Sequence, residues 1–154
     1  MAHKNLKKSK IALDSNVFRN LQFITYLIKH RDEISIALPS LVQLEIGYFY
    51  LSKGFTMNDF LKYTQRFNAK MLDWISIQSE EVLRNAIAQR NILPFKDHFR
   101  DFIIGTQCEA LSYSLITYNL NHFNWLKKII AQTPDAFTIF FEKTFVHSEV
   151  ENNH

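Results

Sequence analysis

Short apolar runs alternate with stretches of helical period along nearly the whole chain, and few folds accept that order. Residues 10–14 (KIALD), 34–38 (ISIAL), 72–77, 114–118 (SLITY) and 136–141 read as strands. Between the first two, Val17, Leu21, Ile24, Leu27 and Ile28 recur at helical spacing, which predicts a helix over 16–30. Pro39 and Ser40 open a second helix that runs to about Ser52 and stops near Gly54. Further helices are expected over 56–69, 79–91, 98–113 and 123–130, with Pro94 as a break. Alternating strands and helices predict α/β architecture, a mostly parallel sheet and right-handed crossovers.

Composition supports that choice. Gly and Pro number only three each in 154 residues, too few for a turn-dense sandwich or a linker-rich chain. The length suits one domain, placed at 10–142, with a basic arm at 1–9 and a polar, loose tail at 143–154. Lys4, Lys7, Lys8 and Lys10 make the basic arm, either a solvated tail or a set of phosphate contacts. The formal charge of +3 is compatible with nucleic acid and proves nothing about it. Cys108 is the sole cysteine, so an intramolecular disulfide is excluded and a reducing, cytoplasmic compartment is expected. No apolar run reaches the roughly 18 residues of a membrane span, so no membrane partner is expected. Asp14 interrupts what would otherwise resemble a signal peptide.

In an open α/β sheet, ligands sit outside the carboxyl ends of the strands. The first strand ends on Asp14, with Ser15 and Asn16 behind it, and the fourth carries Thr117 and then Asn119. Asp14–Asn16 reads equally as a helix cap. Glu45 sits between Leu44 and Ile46 in an apolar helix, so its carboxylate must snorkel, pair with a Lys or Arg, or hold a cation. Asp101 heads the stretch FIIG, where Gly105 lets a backbone or ligand approach closely; the acid also suits the start of a helix. Asp97 and Glu109 lie one turn before and two turns after it. Convergence of Asp14, Glu45 and Asp101 would call for a cation, with Mg²⁺ or Mn²⁺ the simplest choice for oxygen ligands.

Four segments, IALDSNVF, LPSLVQLEIGYFYL, RDFIIGTQCEAL and LITYNLNHF, occur in an order that resembles a PIN domain, most closely the VapC-type toxin ribonucleases. The resemblance spans about residues 10–130. It implies a three-layer α/β/α fold and a metal-dependent endoribonuclease, the toxin of a type II toxin–antitoxin pair. It further implies that Asp14, Glu45 and Asp101 are the catalytic metal ligands for Mg²⁺ or Mn²⁺. Ser15, Thr117 and Asn119 would stand behind them, and the last two match the family's T-x-N signature. His122 departs from the pattern, because many members carry a further acid there; Asp97 would compensate. One well-occupied ion and a second recruited with substrate follow from that count. His98 and His122 are expected as bystanders or phosphate contacts. An RNA substrate, a homodimer and an antitoxin protein are the implied partners. The antitoxin would inhibit through an arginine entering the acidic cleft.

Aromatic residues are frequent. Tyr48–Tyr50 and the series Phe55, Phe60, Tyr63, Phe67 suit either base stacking, a dimer face or ordinary core. A second function class, a catalytically inactive PIN-like module that binds RNA or protein, draws on His122; retention of the three carboxylates opposes it. A phosphoacceptor domain is disfavoured, since neither a paired acid before Asp14 nor a late strand lysine is present.

Overall fold

The computed structural model of the chain describes residues 8–151. Five parallel strands make one sheet: β1 (Ser9–Leu13), β2 (Ile34–Leu38), β3 (Lys70–Met71), β4 (Ser114–Ile116) and β5 (Ala131–Gln132), in the order β3-β2-β1-β4-β5. Six helices connect or flank them: α1 (Leu21–Lys29), α2 (Ser40–Ser52), α3 (Met57–Gln65), α4 (Ser79–Ala88), α5 (Phe95–Ala110) and α6 (Pro134–Glu151). Successive strand residues point to opposite faces, and Ile11, Ala12 and Leu13 of the central strand are all buried. Both faces of the sheet are therefore covered, as an all-parallel sheet requires. The architecture is a PIN-like α/β/α fold with a fully parallel sheet.

Local chemistry sets the element boundaries. The helix expected over 16–30 divides at Asn20: a 3-10 turn covers Ser15–Arg19, and the Asn20 side chain accepts from Phe23 N–H at 3.0 Å to start α1. Thr56 and Asp59 form a reciprocal capping box on α3. Helix α5 starts directly after Pro94, three residues earlier than its apolar pattern suggests, and Ser112 leaves it with φ of 59°. Lys10 is no part of a free arm. It lies in β1, donates to the Leu111 carbonyl at the end of α5 (2.8 Å) and sits over the Tyr113 ring. Lys4 and Lys7 lie outside the described residues.

Three expectations fail. The strand placed at 72–77 is only Lys70–Met71, followed by a 3-10 turn over Trp74–Ser76. Pairing stops because the Leu72 carbonyl is taken by Ser40 Oγ and Gln43 Nε2. The short helix expected over 123–130 is instead a 3-10 turn at Leu120–Phe123. The strand placed at 136–141 is helical, and α6 continues to Glu151 through the stretch read as a loose tail. Thr133 Oγ1 accepts from Ala136 N–H, and Pro134 begins the first turn. Phe137 and Phe141, four residues apart, are buried while Ile139 and Phe140 are exposed. That is a helical stripe, stacked along its length from Phe137 through Phe141 to Phe145.

The aromatic series divides. Phe60 and Phe67 are fully buried, whereas Tyr48, Phe49 and Phe55 are exposed. Among the described residues, no helix is long and apolar enough to cross a membrane.

Candidate functional site

Strands β1 and β4 are neighbours, but the chain leaves β1 towards β2 and leaves β4 towards β5. Connections that diverge from adjacent parallel strands open a crevice at the strands' carboxyl ends. Asp14 follows β1 immediately and Thr117 follows β4, and both are fully buried. The Asp14 N–H continues the ladder to the Ile116 carbonyl at 3.0 Å, which fixes the carboxylate at the crevice. Asp14 Oδ2 accepts from Thr117 Oγ1 at 2.7 Å, and Oδ1 accepts from the Ser15 N–H at 2.7 Å. Thr117 Oγ1 in turn accepts from Asn16 Nδ2 and the Asn119 N–H. Asp14 thus serves as a helix cap and as a site carboxylate at once.

One residue gathers the acids. Arg100 of α5 donates through Nη2 to Asp14 Oδ1 (2.5 Å), Ser15 Oγ (2.9 Å) and Glu45 Oε2 (2.8 Å). Its Nε donates to Glu45 Oε1, and its Nη1 to Asp101 Oδ1 at 3.0 Å. Burial pulls the guanidinium pKa down, but the hydrogen bonds to Glu45 and the charge of Asp14 outweigh that penalty and hold it above its ordinary value. The Glu45 carboxylate, required by its apolar helix to find a partner, finds this one. Three carboxylates share one guanidinium, so the cluster favours positive charge and suits a cation. A divalent ion among Asp14, Glu45 and Asp101 would compete with Arg100 for the same oxygens.

Asp101 is nearly buried. Its second oxygen, Oδ2, faces His98 Nδ1 at 3.2 Å and His122 Nδ1 at 3.1 Å. The two imidazoles meet edge to face, 4.8 Å between centroids. Both histidines, expected from sequence as bystanders or phosphate contacts, thus lie against Asp101. What approaches Gly105, one turn along the same face, is the Trp125 ring, which leaves no room for a Cβ.

Of the residues singled out from sequence, Asp14, Glu45, Asp101, Ser15 and Thr117 come together, and His122 joins them through Asp101. Asn119 is exposed and contributes its backbone N–H. Asp97 is exposed in the first turn of α5 and makes none of these contacts. Glu109 instead accepts from the Lys127 and Lys128 N–H groups. Sequence reasoning missed Arg100 and the position of His98. The signal for Arg100 was indirect: an acid inside an apolar helix needs a cation, without saying which. Burial pushes the Cys108 thiol well above its ordinary pKa, so it is a core group and no nucleophile.

No protein-family model matches this sequence, and neither does any curated protein. Among solved structures, the chain is similar to a chain in the crystal structure of VapBC2 from Rickettsia felis bound to a DNA fragment from their promoter. The TM-score is 0.60 at 16% identity, covering 80% of this chain and 97% of that one. At that identity the likeness is one of fold: the α/β/α architecture derived above is shared with that chain.

Proposed function

We infer that the chain is a divalent-metal-dependent endoribonuclease, the toxin of a type II toxin–antitoxin pair. The observation that carries this reading is the meeting of Asp14, Glu45 and Asp101 at the topological switch point, on a fold shared with VapBC2. In this reading those three carboxylates hold Mg²⁺ or Mn²⁺ when Arg100 yields its place. The ion, when bound, lowers the pKa of its water and offsets charge that develops on the phosphodiester. Thr117 and Ser15 fix the rotamer of Asp14, and Asn16 and the Asn119 N–H hold Thr117 in turn. Displaced Arg100 has the reach and the charge to contact an RNA phosphate.

An antitoxin protein and a second copy of the chain belong to the same reading. The likeness to VapBC2 supports the first; exposed Leu44, Tyr48, Phe49 and Leu51 on α2 offer apolar area for either. A reducing, cytoplasmic setting suits the single buried thiol.

The test is cleavage of a panel of tRNA and structured RNA by wild type, Asp14→Asn and Asp101→Asn, with Mg²⁺, Mn²⁺ or EDTA. Cutting should require metal and should fall more than about a hundredfold in both variants, since even groups behind metal ligands are worth roughly 10–100-fold. A second reading is favoured by the Arg100 contacts and by His122 in place of an acid: an inactive PIN-like module that binds RNA or protein. RNA binding without any metal-dependent cutting would select it.

A further inference from the structure

The oxygens of the three carboxylates are already distributed. Both Glu45 oxygens accept from Arg100, Asp14 Oδ1 accepts from Arg100 and Ser15, and Asp14 Oδ2 accepts from Thr117. Asp101 Oδ1 accepts from Arg100. Among the described residues, Asp101 Oδ2 alone is engaged only by groups able to ligate a metal, the Nδ1 atoms of His98 and His122. One donor atom from each of His98, Asp101 and His122 lies within 4.8 Å of the other two. An ion with bonds of about 2.1 Å keeps neighbouring ligand atoms roughly 3–4 Å apart, so modest side-chain rotation closes this triad on a single ion. The His122 side chain is 38% exposed, which leaves coordination positions open to water or phosphate.

We propose that His98, Asp101 and His122 bind one divalent transition ion, with Arg100 retained as the second positive charge over Asp14 and Glu45. Two imidazoles and one carboxylate select ions of borderline softness, such as Co²⁺, Ni²⁺ or Zn²⁺, over Mg²⁺, which prefers oxygen. Asp101 then bridges the guanidinium and the ion through its two oxygens. As long as Arg100 keeps its place, the site is a mixed pair, one organic cation and one metal. Use of this ion in RNA cleavage rests on the nuclease reading; its binding does not.

The experiment is titration of the full chain with Co²⁺, followed by visible absorption and calorimetry in the absence of RNA. One Co²⁺ per chain is expected, with a ligand-field band that excess Mg²⁺ does not remove. His98→Ala and His122→Ala should each weaken binding at least tenfold, while Glu45→Gln should change it less than threefold. Arg100→Gln should add a second, weaker site on the vacated carboxylates. Because substitutions near Asp101 can disturb folding, wild type supplies an independent readout: Co²⁺ should shift the imidazole NMR signals of His98 and His122 and spare His30. Loss of binding in Glu45→Gln with unchanged His variants would overturn the assignment, placing the ion on the carboxylates with Arg100 displaced. Absence of Co²⁺ uptake would reduce the triad to hydrogen bonds. Co²⁺ binding with no RNA cutting would leave the ion site standing and remove the nuclease reading. Mg²⁺-dependent cutting with no Co²⁺ uptake would do the reverse.

Discussion

Helix α5 carries two polar clusters, and they are built on opposite principles. Towards its start, Arg100 and Asp101 belong to a charged cluster in which one guanidinium faces three carboxylates. Nearly two turns later, fully buried Gln107 forms a neutral knot. Its Oε1 accepts from the Ser40 N–H (2.8 Å), and its Nε2 donates to Ser40 Oγ, the Asp73 carbonyl and Ser76 Oγ at 2.7–3.0 Å. The knot ties α5 to the start of α2 and to the turn after β3, and every group in it has a partner. The charged cluster is satisfied in hydrogen bonds yet short of positive charge. A neutral knot completes the fold and asks for nothing further. An acid-rich cluster held by one arginine is completed from outside, by an ion or a charged ligand.

The largest expected effect tests the knot. Gln107→Leu buries no replacement for four hydrogen bonds, two of them to buried Ser40, and should cost about 3 kcal/mol, measured by urea unfolding. Added Mn²⁺ should not restore any of it. Arg100→Gln should cost about 2 kcal/mol in EDTA, less than a fully buried pair because a quarter of the arginine side chain is exposed. Here a divalent ion should return most of the loss, through binding to the native state alone. Equal behaviour of the two variants towards metal would erase the distinction between the clusters.

How much of this was legible depends on what each residue has to satisfy. Strands β1 and β2 were readable because five-residue apolar runs ended at turn or cap residues, and β2 fell on its expected bounds. Asp14, Glu45 and Asp101 stood out because each leads or interrupts an apolar segment, where a carboxylate is costly. That reasoning reaches the site from its acids and stops there. Arg100 sits in a stretch, KDHFRD, where a charged residue on a helix looks ordinary, and only the three-dimensional path of α5 brings it over Asp14, 86 positions away. The last helix is hidden in the sequence for a different reason. Residues 136–141 are rich in Phe, Ile and Thr and suit a strand by propensity. The stripe of Phe137, Phe141 and Phe145 outweighs that preference, as tertiary burial commonly does.

Between the clusters lies Gly105, whose substitution tests whether they are mechanically separate. A Cβ there would stand 2.7 Å from the Trp125 ring, and Trp125 donates its indole N–H to the His122 carbonyl at 2.7 Å. Gly105→Ala should therefore destabilise by about 1–2 kcal/mol through overpacking. It should also weaken Co²⁺ binding about tenfold, because the displaced Trp125 carries His122 with it. A stability loss with unchanged metal affinity would show that the ring yields without moving the histidine.

The smallest effect belongs to a charged contact remote from both clusters, and its sign is fixed by chemistry. In the capping box of α3, the backbone and hydroxyl hydrogen bonds from Thr56 hold the Asp59 carboxyl below its ordinary range. A depressed pKa in the folded state means that the contribution is complete above the unfolded value, about 4, and is lost as the pH falls through the lower folded value. Thr56→Ala removes the hydroxyl from the box and should lower the melting temperature by about 3 °C at pH 7. The gap from wild type should narrow as the pH is lowered below about 4, since protonated Asp59 no longer favours accepting those bonds. Metal should leave the gap unchanged at every pH. A capping acid with its donors already in place needs no ion, and in this it resembles the Gln107 knot more than the carboxylates around Arg100.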